Sequence, residues 1–378
     1  MSVRARRDVG RGDVGSVAAS PRVRPWRRAR VELFLFLTLW IGYGLTINSG
    51  NLYEFNLQQI GVEAIAERGQ FHLEGSRAPE LQPRGDVFER GGHKYAAKQP
   101  GQFMLGALAY SLVRPFGVSY VDNYLLASAL VTLLTASLVT ALAAVALFRL
   151  AREFDDDDNL YRPLAVALVF GLCTSAFPYA GIAHHDALAS GYLLAAFYLA
   201  VSVARGDTSG RRVRLRTFLA GLLFGLTLTT SMLPALMAFV VVLYFVSLRR
   251  WRLLPVLAVG ALVGLVPLFV YDAVSFGNPL LLPNVAGNYS DTFFRLDPAN
   301  FAAKLGFYAR MVATYVPVFA LGLAGLLLYA PAYRREQLAM LGLVFVLGAY
   351  VLNIDTEGGC QYGPRYLLPL MPYAALGL

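Results

Sequence analysis

From Tyr124 to Phe148 the chain carries no charged residue. A run of this kind decides the fold, because about 20 consecutive apolar residues let a helix cross ~30 Å of hydrocarbon. A second run, Val31 to Ile47, has one charge, Glu32, at its start. Backbone groups in lipid must be satisfied within their own segment, so both runs read as helices. Composition agrees. The 378 residues are 57% hydrophobic and 15% charged, against about 25% charged in soluble domains. The expectation is an all-α polytopic membrane protein of about ten transmembrane helices. They are placed near 31–49, 120–149, 163–181, 186–204, 217–231, 233–248, 253–274, 311–330, 338–354 and 366–378.

A net charge of +9 invites a nucleic-acid reading, but the basic residues cluster in short loops between apolar runs, where they encode topology. The apolar core of Gln102 to Val113 is too short to cross and fits an interfacial helix. With that piece flat on the outer surface, 22 of the 33 Lys and Arg residues fall inside. If it crossed, the five-Arg loop 205–216 and the Arg249–Arg252 loop would move outside, against the positive-inside rule. The tail 1–30 then reads as a disordered basic cytoplasmic segment ahead of one domain, 31–378. The outer face holds loops 50–118, 275–310 and 355–365, the first with juxtamembrane helices. Tyr366 to Leu378 is short for a span, which leaves two readings: a longer protein cut here, or a helix stopping within the bilayer.

Polar residues with chemical potential gather on the outer loops. Cys173 and Cys360 imply neither a disulfide framework nor a metal site. There is no Gly-rich phosphate loop, no cofactor is implied, and Asp155–Asp158 reads as a solvated helix end. Glu54 is the first carboxylate after the first span and has the type of a general base, although a solvated interfacial acid is the simpler reading. Lys98, just before the interfacial helix, suits a phosphate or ordinary snorkelling to headgroups. Asp186 follows His184 and His185 at an outer helix start, where an acid also suits the helix terminus. Adjacent histidines point apart on a helix, which argues against a shared metal. Arg365 stands outside, where the charge rule disfavours it, with a planar fork suited to phosphate.

The segment Gly358-Gly-Cys-Gln-Tyr362-Gly-Pro-Arg365-Tyr-Leu-Leu-Pro resembles the outer-loop motif of bacterial integral-membrane glycosyltransferases of the GT-C fold, the protein-mannosyltransferase-like and aminoarabinose-transferase-like enzymes. Tyr95-Ala-Ala-Lys98-Gln-Pro-Gly is similar to that group's Lys-Pro-Pro segment, His184-His-Asp-Ala-Leu to its element at the fourth span, and Phe276-Gly-Asn-Pro-Leu to the one after the seventh. The resemblance implies a cell-membrane enzyme with its N-terminus cytoplasmic and its site outside. It would move a sugar from a polyprenyl-phosphate donor to a glycan, lipid or protein acceptor. Lys98, Arg365 and Tyr362 would bind the donor phosphate; Asn56, His184 and His185 would line the substrate. The group usually has Asp soon after the first span. Here Asn51, Glu54 and Asn56 stand there, which leaves three readings: Glu54 as base, Asp186 as base, or an inactive chain. Two other functions fit such a chain: a flippase or transporter of lipid-linked substrates, and a non-catalytic lipid-binding subunit. Each involves membrane lipid and no nucleic acid.

Overall fold

The computed structural model describes residues 25–48, 56–83, 85–155, 159–206, 210–288, 295–354, 356 and 362–378. About three quarters of them are helical. Helix α1 (Pro25–Leu45) leads to α2 (Asn56–Arg68), a hairpin of β1 (Val87–Arg90) and β2 (His93–Ala96), and α3 (Gly101–Val113). The bundle follows: α4 (Tyr124–Glu153), α5 (Tyr161–Cys173), α6 (Ala176–Ala180), α7 (His185–Arg205), α8 (Arg211–Thr230), α9 (Met232–Ser247) and α10 (Leu254–Phe276). Last come α11 (Phe301–Tyr315), α12 (Val318–Leu326), α13 (Arg334–Val351) and the helical turns Arg365–Leu370 and Met371–Leu376. Most of the tail 1–30 falls outside the described residues.

Four described helices are long and apolar enough to cross a membrane: α4, α7, α8 and the one through α10. A fifth counts only if α11 and α12 form one span, and they meet at 108°. The straight span expected at 311–330 is therefore broken at Val316-Pro317, where proline has no N–H for the helical ladder. The expected span 163–181 likewise splits at Thr174, whose backbone is extended. Ten spans are more than the described helices establish. The face of α10 bearing Val259, Leu262, Val266 and Val274 is exposed and wholly apolar, as a lipid-facing helix requires.

Close backbone approach builds the bundle. Gly221 and Gly225 of α8 face Gly260 and Gly264 of α10. A Cβ on any of the four would collide with a carbonyl oxygen of the facing helix: Leu257, Ala261, Phe218 and Leu222 respectively. Two small-xxx-small motifs thus meet along one seam, and Thr229 Oγ1 locks it by donating to the Gly264 carbonyl at 2.8 Å. Helix α4 bulges over Leu133–Ser137, a π-helical stretch. The Leu133 carbonyl takes the Trp40 indole N–H at 2.9 Å, and Ser137 donates to the Ala180 carbonyl at 2.7 Å.

The segment from α2 to the start of α4 has its own core, in which Ile60, Val62, Leu81, Phe103, Tyr110, Tyr120 and Val131 are buried together. Among the described residues the hairpin is the one pair of strands, a departure from an all-α fold. Its turn is Gly91-Gly92, both at positive φ (59° and 82°), the conformation a two-residue hairpin favours. Phe88 and Tyr95 pack on Phe276 with ring centroids 5.9 and 5.4 Å apart, which docks the hairpin on the end of α10.

Leucine at Gly225 or at Gly264 should force the α8–α10 seam apart. Overpacking that side chains can absorb costs about 1–3 kcal/mol; here backbone is the obstacle, so the loss should reach or exceed that range. Thermal unfolding in detergent would read it, and an unchanged Tm in both variants would show that the close approach is dispensable.

Candidate active site

Helix α7 begins at the end of the bundle opposite the basic loops. Asp186 lies in its first turn and Arg205 in its last, about 30 Å apart at 1.5 Å per residue. Asp186 is 3% exposed and surrounded by donors. Ser231 Oγ donates to its Oδ1 at 2.9 Å. The Arg365 Nε stands 3.6 Å from Oδ2, and His185 Nε2 stands 3.5 Å from Oδ1. Ser231 reaches it because α8 ends there: its backbone is extended (φ −153°, ψ 133°) between α8 and α9. His184 precedes the helix in extended conformation, and its Nδ1 accepts the Asp186 N–H at 3.2 Å. That nitrogen is therefore unprotonated, and the ring caps the helix. This geometry alters the premise that adjacent histidines diverge. With His184 outside the helix, the two rings stack at 4.3 Å.

A second ion pair lies beside the first. Lys98 Nζ meets Asp86 Oδ2 at 2.8 Å, with the Lys98 side chain 14% exposed and that of Asp86 52%. Asp86 sits at φ 36°, unusual for a residue with a Cβ and a mark of imposed geometry. Partial burial pushes its carboxyl up. The Lys98 ammonium outweighs this, helped by His185 and Arg365, and holds it below the usual aspartate range. The Lys98 segment is braced from behind. Gln99 Nε2 donates to Asn284 Oδ1 at 2.7 Å, and Asn284 Nδ2 donates to the Ala97 carbonyl at 3.2 Å. At Gly101 a Cβ would meet the Thr229 carbonyl at 2.8 Å, so α3 starts hard against the end of α8.

Lys98, Gln99, His185, Asp186, Ser231, Asn284, Arg365 and Tyr366 line one cleft. Its free volume of ≈ 30 Å³ is room for about two waters. Arg365 has a side chain only 13% exposed. Its guanidinium carbon lies 4.9 Å over the Tyr366 ring, and its Nε makes no hydrogen bond among the described residues. The cleft therefore presents two largely desolvated cations, held by carboxylates, to anything that enters.

Four sequence candidates meet here: Lys98, His185, Asp186 and Arg365, with His184 directly behind. Asn56 does not. It is buried at the start of α2, where its amide donates to the carbonyls of Glu80 and Gln82 at 2.7 and 3.2 Å. That bonding makes it a loop anchor, and it is not among the residues lining the cleft. Tyr362 is 42% exposed. Its hydroxyl accepts from Asn48 Nδ2 at 3.3 Å, and it is not among the residues lining the cleft. Glu54 lies outside the described residues. Sequence reasoning missed Asp86, Ser231, Asn284 and Gln58, whose amide meets His185 Nδ1 at 3.1 Å. The Asn278-Pro279 element did point near Asn284.

The helical fold of this chain, the GT-C fold, is shared with solved structures. ArnT from Cupriavidus metallidurans bound to undecaprenyl phosphate aligns with a TM-score of 0.57 at 16% identity, over 94% of this chain and 60% of that one. Its apo state gives 0.60 at 16%, over 92% and 58%. The archaeal oligosaccharyltransferase AglB from Archaeoglobus fulgidus, in complex with an inhibitory peptide and a dolichol-phosphate, gives 0.53 at 15%, over 93% and 50%. The chain thus spans half to three fifths of the length of these proteins. No family's sequence profile and no curated protein matches it in sequence.

The Asp86–Lys98 pair makes a pH test. A depressed folded pKa adds stability that is present above the unfolded value of ~3.9 and lost as pH falls through the folded one. The Ala97 N–H donates to the Asp86 carbonyl at 2.7 Å. Its exchange protection should hold at pH 5 and above and fall away below ~3.9. Asp86→Asn should remove that step; a step that persists would place the titrating group elsewhere.

Proposed function

We propose that the chain is a membrane glycosyltransferase that moves a sugar from a polyprenyl-phosphate donor to an acceptor hydroxyl. The observation that carries this reading is the convergence of Lys98 and Arg365, from distant parts of the chain, on one desolvated cleft. Both cations suit a phosphate, Arg365 through its fork and Lys98 as a point charge. They would hold the ground-state phosphate and stabilise the charge that grows on it as the sugar leaves. The solved structures of ArnT and AglB in complex with undecaprenyl phosphate and a dolichol-phosphate support the ligand class.

In the transfer, the acceptor oxygen bonds to the anomeric carbon as the bond to the phosphate oxygen breaks, and the acceptor proton passes to a carboxylate. Three acids are candidates. Asp186 is buried and held by Ser231 and Arg365, which suits it to orienting the guanidinium. Glu54 keeps the role inferred from its place after the first span. Asp86, paired with the cleft residue Lys98, joins it as an accessible carboxylate. An incoming phosphate would displace Asp86 from Lys98, and the small cleft would open as the Asp86 loop gives way.

Lysine keeps the charge of Arg365 but not the fork. Arg365→Lys should lose most transfer of radiolabelled sugar from polyprenyl-phosphate donors in membranes, while the protein still inserts; wild-type turnover would reduce Arg365 to a surface anchor. Donor binding with no product in the wild type would favour the lipid-binding subunit instead.

General-base contributions are about 10²–10⁴-fold. Either Glu54→Gln or Asp86→Asn should cut turnover by that order with donor binding retained, and the variant that does so names the base. Activity in both would remove both from the role.

The membrane frame follows from charge. Arg149, Arg205, Arg250 and Arg334 belong to the end of the bundle remote from Asp186, and Arg205 packs on the Tyr333 ring at 4.6 Å. Under the positive-inside rule that end and the N-terminus are cytoplasmic and the cleft is outside. Helix α3, 13 residues long, spans about 20 Å and would not cross alone. Cysteines at Gly92 and Arg114, both exposed, should label with an impermeant reagent from outside. Labelling at only one of them would mean that α3 crosses.

A further inference from the structure

Away from the cleft, two imidazoles and a carboxylate converge in the segment between α2 and β2. His93 Nδ1 lies 2.5 Å from Glu74 Oε1, and His72 Nδ1 lies 2.9 Å from the same oxygen. The two rings stack with centroids 4.3 Å apart and planes within 25°, which sets both Nδ1 atoms on one side. Only one of these approaches is a hydrogen bond. His72 Nδ1 is buried and makes none among the described residues. A buried nitrogen left in this way needs a reason, and convergence on a shared third body supplies one.

The surroundings hold the three groups in place. The Leu73 N–H donates to the Lys94 carbonyl at 2.8 Å, which zips the segment onto β2. The Lys94 N–H donates to Glu74 Oε2 at 3.0 Å, leaving Oε1 for the imidazoles. Arg68 donates to the carbonyls of Leu73 and Glu74. By contrast, the donor atoms of His184, His185 and Asp186 are engaged by Asp186 N–H, Gln58, Ser231 and Arg365.

We infer that His72, Glu74 and His93 form a binding site for a divalent cation of the zinc type. Two imidazole nitrogens and one carboxylate oxygen are a borderline-soft donor set that suits zinc over magnesium or calcium. The ligand atoms lie within 4.8 Å of one another. Ligand distances of about 2.0–2.2 Å put tetrahedral ligands roughly 3.3 Å apart, so the two His–Glu separations of 2.9 and 2.5 Å need to open by less than an ångström. His93, with its side chain 50% exposed, leaves the fourth position to solvent. The ion would join the chain after α2 to the first residue of β2, the strand that leads to Lys98.

The test is zinc binding itself, independent of any transferase activity. The full chain in detergent, stripped with chelator, is titrated with zinc chloride against a competing zinc dye. One equivalent should bind, and Glu74→Gln and His93→Gln should each lose it. Absorption spectroscopy at the zinc edge of the wild type should show imidazole ligands, a readout that stands even if the variants fold poorly. No uptake by the wild type, a zinc shell without imidazole, or unchanged uptake in both folded variants would overturn the assignment.

Discussion

Everything at the Asp186 end of the bundle depends on how charge is kept in a place with little water. Asp186 is a carboxylate at 3% exposure, and an isolated buried charge is among the costliest groups a fold can hold. Its compensation comes from three directions: a serine at a helix break, a guanidinium from the last loop, and His185 in the first turn of its own helix. The favourable end of the α7 dipole adds to these. The arrangement needs α7, α8 and the Arg365 segment to end at one level, so the lengths and breaks of three helices are tied to one carboxylate.

The glycine seam and the aromatic cluster serve this end in different ways. Along α8 and α10 the backbones touch, which fixes where α8 stops and so where Ser231 stands. On α10, Phe276 receives Phe88 and Tyr95, and the hairpin they belong to runs on to Lys98. The Lys98 cation therefore reaches the Asp186 end through tilted and edge-on ring contacts and braces such as Asn284, while Arg365 reaches it through the chain following α13.

Much of this was legible in the sequence, and the reasons are specific. Long uncharged runs give helices because lipid offers no other solution for the backbone. Arg365 was conspicuous because a cation outside violates the charge asymmetry, and His184-His-Asp because polar triplets are rare at apolar helix starts. What stayed hidden was non-local. Asp86 reads as a turn residue, Ser231 as a loop serine and Gln58 as one more polar residue of α2; each matters only for what the fold brings opposite it. Likewise no local pattern announces that the Asn56 Nδ2 donates to two carbonyls 24 and 26 residues away. The hairpin had a signal that was passed over, Gly91-Gly92 between two short runs. The bend at Val316-Pro317 was hidden because hydropathy sums are blind to direction.

The seam between α8 and α10 has a mechanical consequence. Where helices meet through side chains, small rotamer changes let them slide past one another. Here carbonyl oxygens sit over glycine α-carbons, and no rotamers exist to adjust. Those two helices behave as one stiff post. Adaptation to an arriving molecule then falls to the pieces hung from the post by rings and ion pairs, which can swing without disturbing the bundle.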